Sequence, residues 1–111
     1  MTKLPRSVDQ YFALPFTDTI NALALAANTA ETMTVPADAY FVSMSATADF
    51  YARRTAAGTA ASAATVATDT TDGTGSALNP TLRRVSPGDS ISVISAATCI
   101  VTFEFFGRDT A

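Results

Sequence analysis

The sequence predicts an all-β protein: a single, jelly-roll-like β-sandwich of about seven or eight antiparallel strands, preceded by an extended N-terminal arm. Apolar and polar residues alternate with a period of two from Ile20 onward, and turn residues recur about every ten positions. Alanine and threonine outnumber the bulky aliphatic residues, which favours short strands over large amphipathic helices. The 111 residues suffice for one domain, so we divide the chain into an arm, residues 1–19, and a β-sandwich domain, residues 20–111.

The arm is apolar but interrupted by proline. Pro5 and Pro15 lack a backbone donor and restrict the residue before them, so neither a continuous helix nor a central strand is expected. An apolar segment of this kind must pack against its own domain or against a neighbouring subunit. Extended segments can bind across a subunit boundary because they donate main-chain hydrogen bonds without a core of their own. The candidate binding side chains of the arm are Leu4, Tyr11, Phe12, Leu14 and Phe16.

The first half of the domain contains four predicted strands. INALALAA, from Ile20, has Leu23 and Leu25 on one face, and TMTV is a short strand that Pro36 ends. The stretch AYFVSMSATADFYARR then divides at a bend near residues 47–49 into two strands.

The segment TAAGTAASAA, residues 55–64, is ambiguous. Its alanines permit a weak helix, whereas Gly58 and the interspersed threonine and serine favour a mobile hairpin tip, and we predict the tip.

The last third is the most clearly patterned. TLRRV is a strand, and SPGD has proline and glycine at the positions that a type II turn requires. SISVISA and CIVTFEFF alternate strongly, so we predict that they form a C-terminal hairpin. The second of them places Cys99, Val101, Phe103 and Phe105 on one face, which makes the single cysteine a buried thiol.

Composition excludes several functions. Because the chain has no histidine, Ser-His-Asp and Cys-His catalysis and imidazole-based zinc sites are impossible within one chain. The carboxylates lie mostly at predicted turns, so we expect neither enzymatic activity nor a cofactor. The net charge is −3 and the pI is about 4.5, which argues against nucleic acid as a partner. Neither a signal peptide nor a membrane span is recognisable, so we expect a soluble protein that is not exported by the standard route.

The loop TDGTGSALNP, residues 71–80, invites two ligand-binding interpretations. Its GxG lacks the further glycine and the Lys-Ser/Thr pair of a phosphate loop, and Asp69 and Asp72 lack the regular acid spacing of a calcium loop. We therefore interpret it as a connector that Leu78 anchors to the core and that Asn79 and Pro80 end.

Two arginine pairs, Arg53-Arg54 and Arg83-Arg84, lie on predicted strands. Neighbouring strand residues point to opposite faces, so at most one arginine of each pair can face a given partner. Either these are solvated charges that discourage aggregation of strand edges, or they form salt bridges between subunits.

Three ordered motifs, SATADFYARR, TDGTGSALNPTLRRV and SISVISAATCIVTFEFF, resemble those of small virion structural proteins of tailed bacteriophages. The resemblance spans about residues 20–106. It implies a capsid decoration or cement protein with a β-sandwich fold, which would bind the outer surface of the head and stabilise the lattice of the major capsid protein.

The implied partners are the major capsid protein and copies of the chain itself, as a dimer or trimer, with no nucleic acid and no membrane. The implied location is the surface of the virion capsid, after synthesis in the cytoplasm of the bacterial host. Two alternatives stay open: a head-fibre, neck or tail-associated structural module, and a sugar-binding β-sandwich that would use Tyr40 or Tyr51 as an aromatic platform.

Overall fold

The computed structural model describes residues 1–4 and 14–108, and within these ranges the chain forms strands and no helix. This confirms the all-β prediction. The strands are β1 Lys3–Leu4, β2 Ile20–Leu25, β3 Glu31–Thr34, β4 Phe41–Ala46, β5 Tyr51–Thr55, β6 Ala77–Leu78, β7 Leu82–Arg84, β8 Ser90–Ile94 and β9 Cys99–Arg108.

The strands form two sheets in a sandwich-like arrangement. In the larger sheet β9 lies between β4 and the edge formed by β1 and β2, and β7 follows β4 at the opposite edge. The smaller sheet has the order β3-β8-β5-β6. Each sheet ends in a short strand at one edge, β7 in the larger sheet and β6 in the smaller. Residues 79–81 link these two strands.

Most connections pass from one sheet to the other. In chain order from β2 to β9 the strands alternate between the sheets, and only β5 and β6 follow each other within one sheet. The predicted C-terminal hairpin is therefore wrong, because β8 pairs with β3 and β5 whereas β9 pairs with β1, β2 and β4. The turn after β8 is a corner of the sandwich, where the Ser95 hydroxyl donates to the Asp49 carbonyl at 2.7 Å.

The core lies between the sheets and is filled by alternate residues of the central strands. Val42 of β4, Val93 of β8, and Val101, Phe103 and Phe105 of β9 are fully buried. The rings of Phe103 and Phe105 stack with their centroids 6.2 Å apart. The predicted inner face of β9 is thus confirmed, including the buried thiol of Cys99.

Residues on both sides of the undescribed segment 5–13 extend the edge of β9. The strand β1 runs parallel to β9, with Lys3 opposite Gly107, so part of the predicted arm forms an edge strand of the larger sheet. The strands of residues 20–108 pair antiparallel, as predicted. The buried hydroxyl of Thr17 donates to the Phe105 carbonyl at 2.8 Å and accepts from the Thr2 N–H at 3.2 Å. Main-chain and side-chain bonds therefore hold residues 1–4 and 14–19 against the domain.

Two predicted turns agree with the structure. Gly88 of SPGD has φ +86°, and the Asp89 N–H donates to the Ser86 carbonyl at 3.1 Å, as a type II turn requires. The segment 55–64 leaves β5 through a tight turn at Gly58, φ +84°, and contains no helix.

Candidate functional site

The apolar residues of the arm divide into a buried anchor and an exposed pair. Leu4 is buried in β1, whereas Leu14 is partly exposed and Phe16 is 92% exposed. Tyr11 and Phe12 lie outside the described residues. The Phe16 ring is therefore accessible to a partner.

The outer side of the larger sheet also exposes apolar residues. Its cross-strand register places Ile20, Glu104, Ser43 and Leu82 in one row across four strands, and Ala22, Thr102 and Ser45 in the next. Ile20, Leu82 and Ile100 are exposed. We define the outer face by the residues Ile20, Ala22, Ala24, Ser43, Ser45, Leu82, Ile100, Thr102 and Glu104.

Five of the nine residues that define the outer face are apolar, and the other four are polar. Glu104 is the only charged residue of the nine, and Arg84, opposite Phe41, lies on the same side of the sheet. Sheet faces directed at water normally carry polar residues along each strand. The exposed aliphatic residues of this surface suit contact with another protein surface.

The register also settles which arginine of each pair points inward. Arg54 is opposite Ile91 and Arg83 is opposite Val42, so both lie on the inner sides of their sheets. Arg53 is opposite Ser92 and Arg84 is opposite Phe41, which places them on the outer sides. The register therefore places the two members of each pair on opposite faces of their sheets.

A cleft of about 220 Å³ opens between the sheets beside β7. Its apolar lining includes Val42, Met44, Ala52, Val85 and Ile91, and all four of these arginines contribute to it. Four of the chain's seven basic residues therefore border one cleft, although the chain carries a net negative charge. No acidic residue of the described part of the chain is in the lining.

Arg54 is held by a buried carboxylate. Its Nε donates to Asp89 Oδ2 at 2.6 Å, and the same carboxylate accepts the N–H groups of Ser86 at 2.8 Å and Ala57 at 3.0 Å. Burial raises the pKa of Asp89, but the bond from Arg54 and the two backbone bonds outweigh burial, so the pKa lies below its ordinary value. Asp89 thus remains charged and fixes Arg54 at the mouth of the cleft.

The other three arginines have weaker restraints. Arg53 donates to the Thr74 carbonyl at 3.0 Å, and Arg83 has only a long contact of 3.4 Å to the Leu82 carbonyl. Within residues 1–4 and 14–108, neither Arg83 nor Arg84 forms an ion pair. Their guanidinium groups are therefore free to meet carboxylates of a partner.

The segment 71–80 contains the short strand β6 as well as the predicted connector, and it has a specific clamp. Asn79, at φ +46°, accepts the Phe50 N–H on its Oδ1 at 3.0 Å and donates from its Nδ2 to Asp49 at 2.9 Å. The predicted anchoring of this loop by Leu78 is wrong, because Leu78 is 54% exposed. The Asn79 side chain instead joins the loop to the bend before β5.

Asp72 caps the tip of the same loop. Its carboxylate accepts the N–H and hydroxyl of Thr74 at 3.1 and 2.7 Å, and these bonds lower its pKa. Among the described residues, no three His, Cys, Asp or Glu side chains are grouped closely enough to hold a metal ion.

Sequence reasoning missed Asp89 and Asn79 as organising residues. A usable signal existed for both, since Asp89 directly follows the glycine of a predicted turn and Asn79 precedes proline at a strand boundary. The aromatic platform proposed at Tyr40 is partly occupied, because the Arg108 guanidinium lies 4.0 Å from the ring centre.

The described residues contain no helix with the length and apolar character needed to cross a membrane. Comparison of the chain with protein-family models, with curated proteins and with solved structures finds no match.

Proposed function

We propose that the chain is a non-enzymatic structural protein of a tailed-bacteriophage virion, with a jelly-roll fold. In this role it binds the outer surface of the head and stabilises the lattice of the major capsid protein. The sequence resemblance motivates the proposal, and the geometry of the exposed surface adds physical support to it.

The strand order supports the jelly-roll part of the proposal. A jelly roll has eight strands in two four-stranded sheets, and successive strands largely alternate between the sheets. The orders β2-β9-β4-β7 and β3-β8-β5-β6, with β5 and β6 as the only consecutive pair in one sheet, fit that arrangement. Jelly rolls recur in viral capsid proteins and in lectins, so the fold alone leaves the function open.

The observation that carries the binding role is the exposure of the apolar side chains of Phe16 and of the outer face. Phe16 is 92% exposed, and Ile20 and Ile100 are exposed on the adjoining strands. A surface that binds a lattice should lose little conformational freedom on binding, and small side chains on a sheet satisfy this requirement.

The test is co-sedimentation of the purified protein with shells assembled from the major capsid protein of the same genome. Wild-type protein should sediment with the shells and saturate at a fixed ratio. The double variant Phe16→Ser with Ile20→Thr should lose at least about tenfold in affinity, because it removes two apolar anchors from the surface.

Leu78→Ser is the matched control. It removes another exposed apolar side chain, but from the smaller sheet, so it should sediment like the wild type. Absence of wild-type protein from the shell pellet would reject the capsid role. Equal loss of binding by Leu78→Ser would reject the assignment to the outer face. The number of copies per virion separates a cement protein from a neck or tail module.

A further inference from the structure

The geometry points to a second interaction site: we propose that the free edge of β7, together with the adjoining cleft, binds an extended peptide segment that carries an apolar residue flanked by carboxylates. The segment adds a strand to the larger sheet and inserts its apolar side chain between the sheets. If the peptide segment belongs to a capsid protein, this inference rests on the proposed function. Binding of a peptide to the β7 edge can be tested without capsids.

The first argument is the direction of the backbone groups of β7. The Met44 N–H donates to the Thr81 carbonyl at 3.1 Å, and the Val85 N–H donates to the Tyr40 carbonyl at 2.9 Å. In an antiparallel pair the bonded positions alternate, so Leu82 and Arg84 direct their N–H and C=O groups away from β4.

No strand of the described ranges pairs with these outward groups, because β7 is the last strand of its sheet. Among the described residues, the one hydrogen bond to the outward groups of Leu82 and Arg84 is the long contact from the Arg83 guanidinium to the Leu82 carbonyl. Unpaired edge groups of this kind are the template for strand addition by a peptide.

The second argument is the cleft beside that edge. A strand paired with β7 directs alternate side chains to the inner side, and the residue opposite Arg83 then faces the cleft. The volume of about 220 Å³ and the lining by Val42, Val85 and Ile91 suit one aliphatic or aromatic side chain.

The third argument is charge. Arg54 and Arg83 lie on the inner sides of the two sheets and border the cleft from opposite directions. The guanidinium of Arg83 has no carboxylate partner within the described ranges, and Arg54 uses only its Nε on Asp89. Guanidinium groups bind carboxylates with two parallel bonds, so the flanking residues of the incoming segment should be acidic.

The probe is the peptide Ser-Glu-Thr-Leu-Thr-Glu-Ser, blocked at both ends. With its leucine opposite Arg83, the two glutamates share the inner side with the leucine, and the two threonines exchange backbone bonds with Leu82 and Arg84. Titration of the isotopically labelled protein with the peptide should shift the amide resonances of Leu82 and Arg84 and saturate in the millimolar range or below.

Three comparisons define the site. A peptide with lysine in place of both glutamates should bind at least about tenfold more weakly, because it opposes the arginines. A peptide N-methylated on both threonines should lose the shifts, because it cannot donate to the edge. Arg83→Gln should weaken binding more than Arg84→Gln, since these neighbours differ in the side of the sheet that they face.

Some results would overturn the proposal. They are the absence of saturable shifts at Leu82 and Arg84, equal binding of the lysine peptide or the N-methylated peptide, and a larger effect of Arg84→Gln than of Arg83→Gln. A positive result with the peptide alongside failed co-sedimentation with shells would retain this site and reject the capsid role.

Discussion

Replacing Asp89 with asparagine should destabilise the fold and reduce its sensitivity to acid. Asp89 is 1% exposed and accepts three hydrogen bonds, from Arg54, Ser86 and Ala57. These bonds join the type II turn before β8 to the end of β5. Asparagine has the same shape but only one acceptor oxygen, so its amide group must face at least one of the donors.

The size of the effect follows from the exposure of the partners. Loss of the acceptor for a buried backbone N–H costs about 1–3 kcal/mol. The Arg54 side chain is 51% exposed, so water compensates part of its lost partner and that bond adds only about 0.5–1 kcal/mol. We expect a total of about 1.5–4 kcal/mol, which for a domain of this size lowers the Tm by about 6–16 °C.

The pH dependence has a definite sign. Because the pKa of Asp89 is lower in the folded state, the unfolded chain binds the proton more tightly, and stability rises with pH between the two pKa values. The contribution of Asp89 is complete above its unfolded pKa of about 3.9 and disappears as the pH falls through the folded value below it. Asp89→Asn should therefore flatten this part of the stability curve.

Urea denaturation followed by circular dichroism from pH 7 to pH 2 measures both effects. Asp72→Asn is the control, since its carboxylate also has a lowered pKa but lies on an exposed loop tip, and its midpoint at pH 7 should be unchanged. A loss below about 1 kcal/mol for Asp89→Asn at pH 7 would refute the reasoning, as would an acid limb as steep as that of the wild type.

Two further pairs of variants test the loop clamp and the turn. Asn79→Gly keeps the positive φ but removes the bonds to Asp49 and Phe50, so it should lower the free energy of unfolding by about 1 kcal/mol. Asn79→Ala removes the same bonds and also places a Cβ at positive φ, so it should lower the free energy of unfolding by about 1 kcal/mol more than Asn79→Gly does. Equal costs would show that the backbone conformation does not matter there. Gly88→Ala should lower the free energy of unfolding by about 2 kcal/mol, because the new Cβ has an unfavourable φ and would also lie 3.3 Å from the Ala57 Cβ. Gly73→Ala has a similar φ but no atom within 4 Å of the new Cβ, so it should lower the free energy of unfolding by about 1 kcal/mol. Thermal unfolding of the two glycine variants side by side isolates the contact, and identical Tm values would contradict it.

Local sequence patterns predicted β2–β5 and β7–β9 and most of their buried faces, but not the two-residue strands β1 and β6. Alternation identified the inner residues of β4 and β9, such as Val42 and Phe103, because a period of two depends only on strand geometry. The type II turn at Gly88 was predictable for the same reason, since four residues contain all its requirements.

The assignment of strands to sheets could not be read in this way. Alternation reports which face of a strand is buried, but the same pattern arises whether β8 and β9 pair with each other or face each other across the core. The arginine pairs show the same limit. Their divergence was predictable, whereas the inward position of Arg54 and Arg83 depends on register with Ile91 and Val42, which are distant in sequence.

The position of β9 has a consequence for how the chain acquires its structure. Among the strands of the described residues this one is the last in chain order, yet it supplies the middle of the larger sheet and pairs with β1, β2 and β4. During synthesis the earlier strands of that sheet lack their central neighbour. The backbone groups of these strands that pair with β9 therefore stay without a partner until residues 99–108 have emerged. Such high contact order slows folding and leaves a period in which aggregation competes with it.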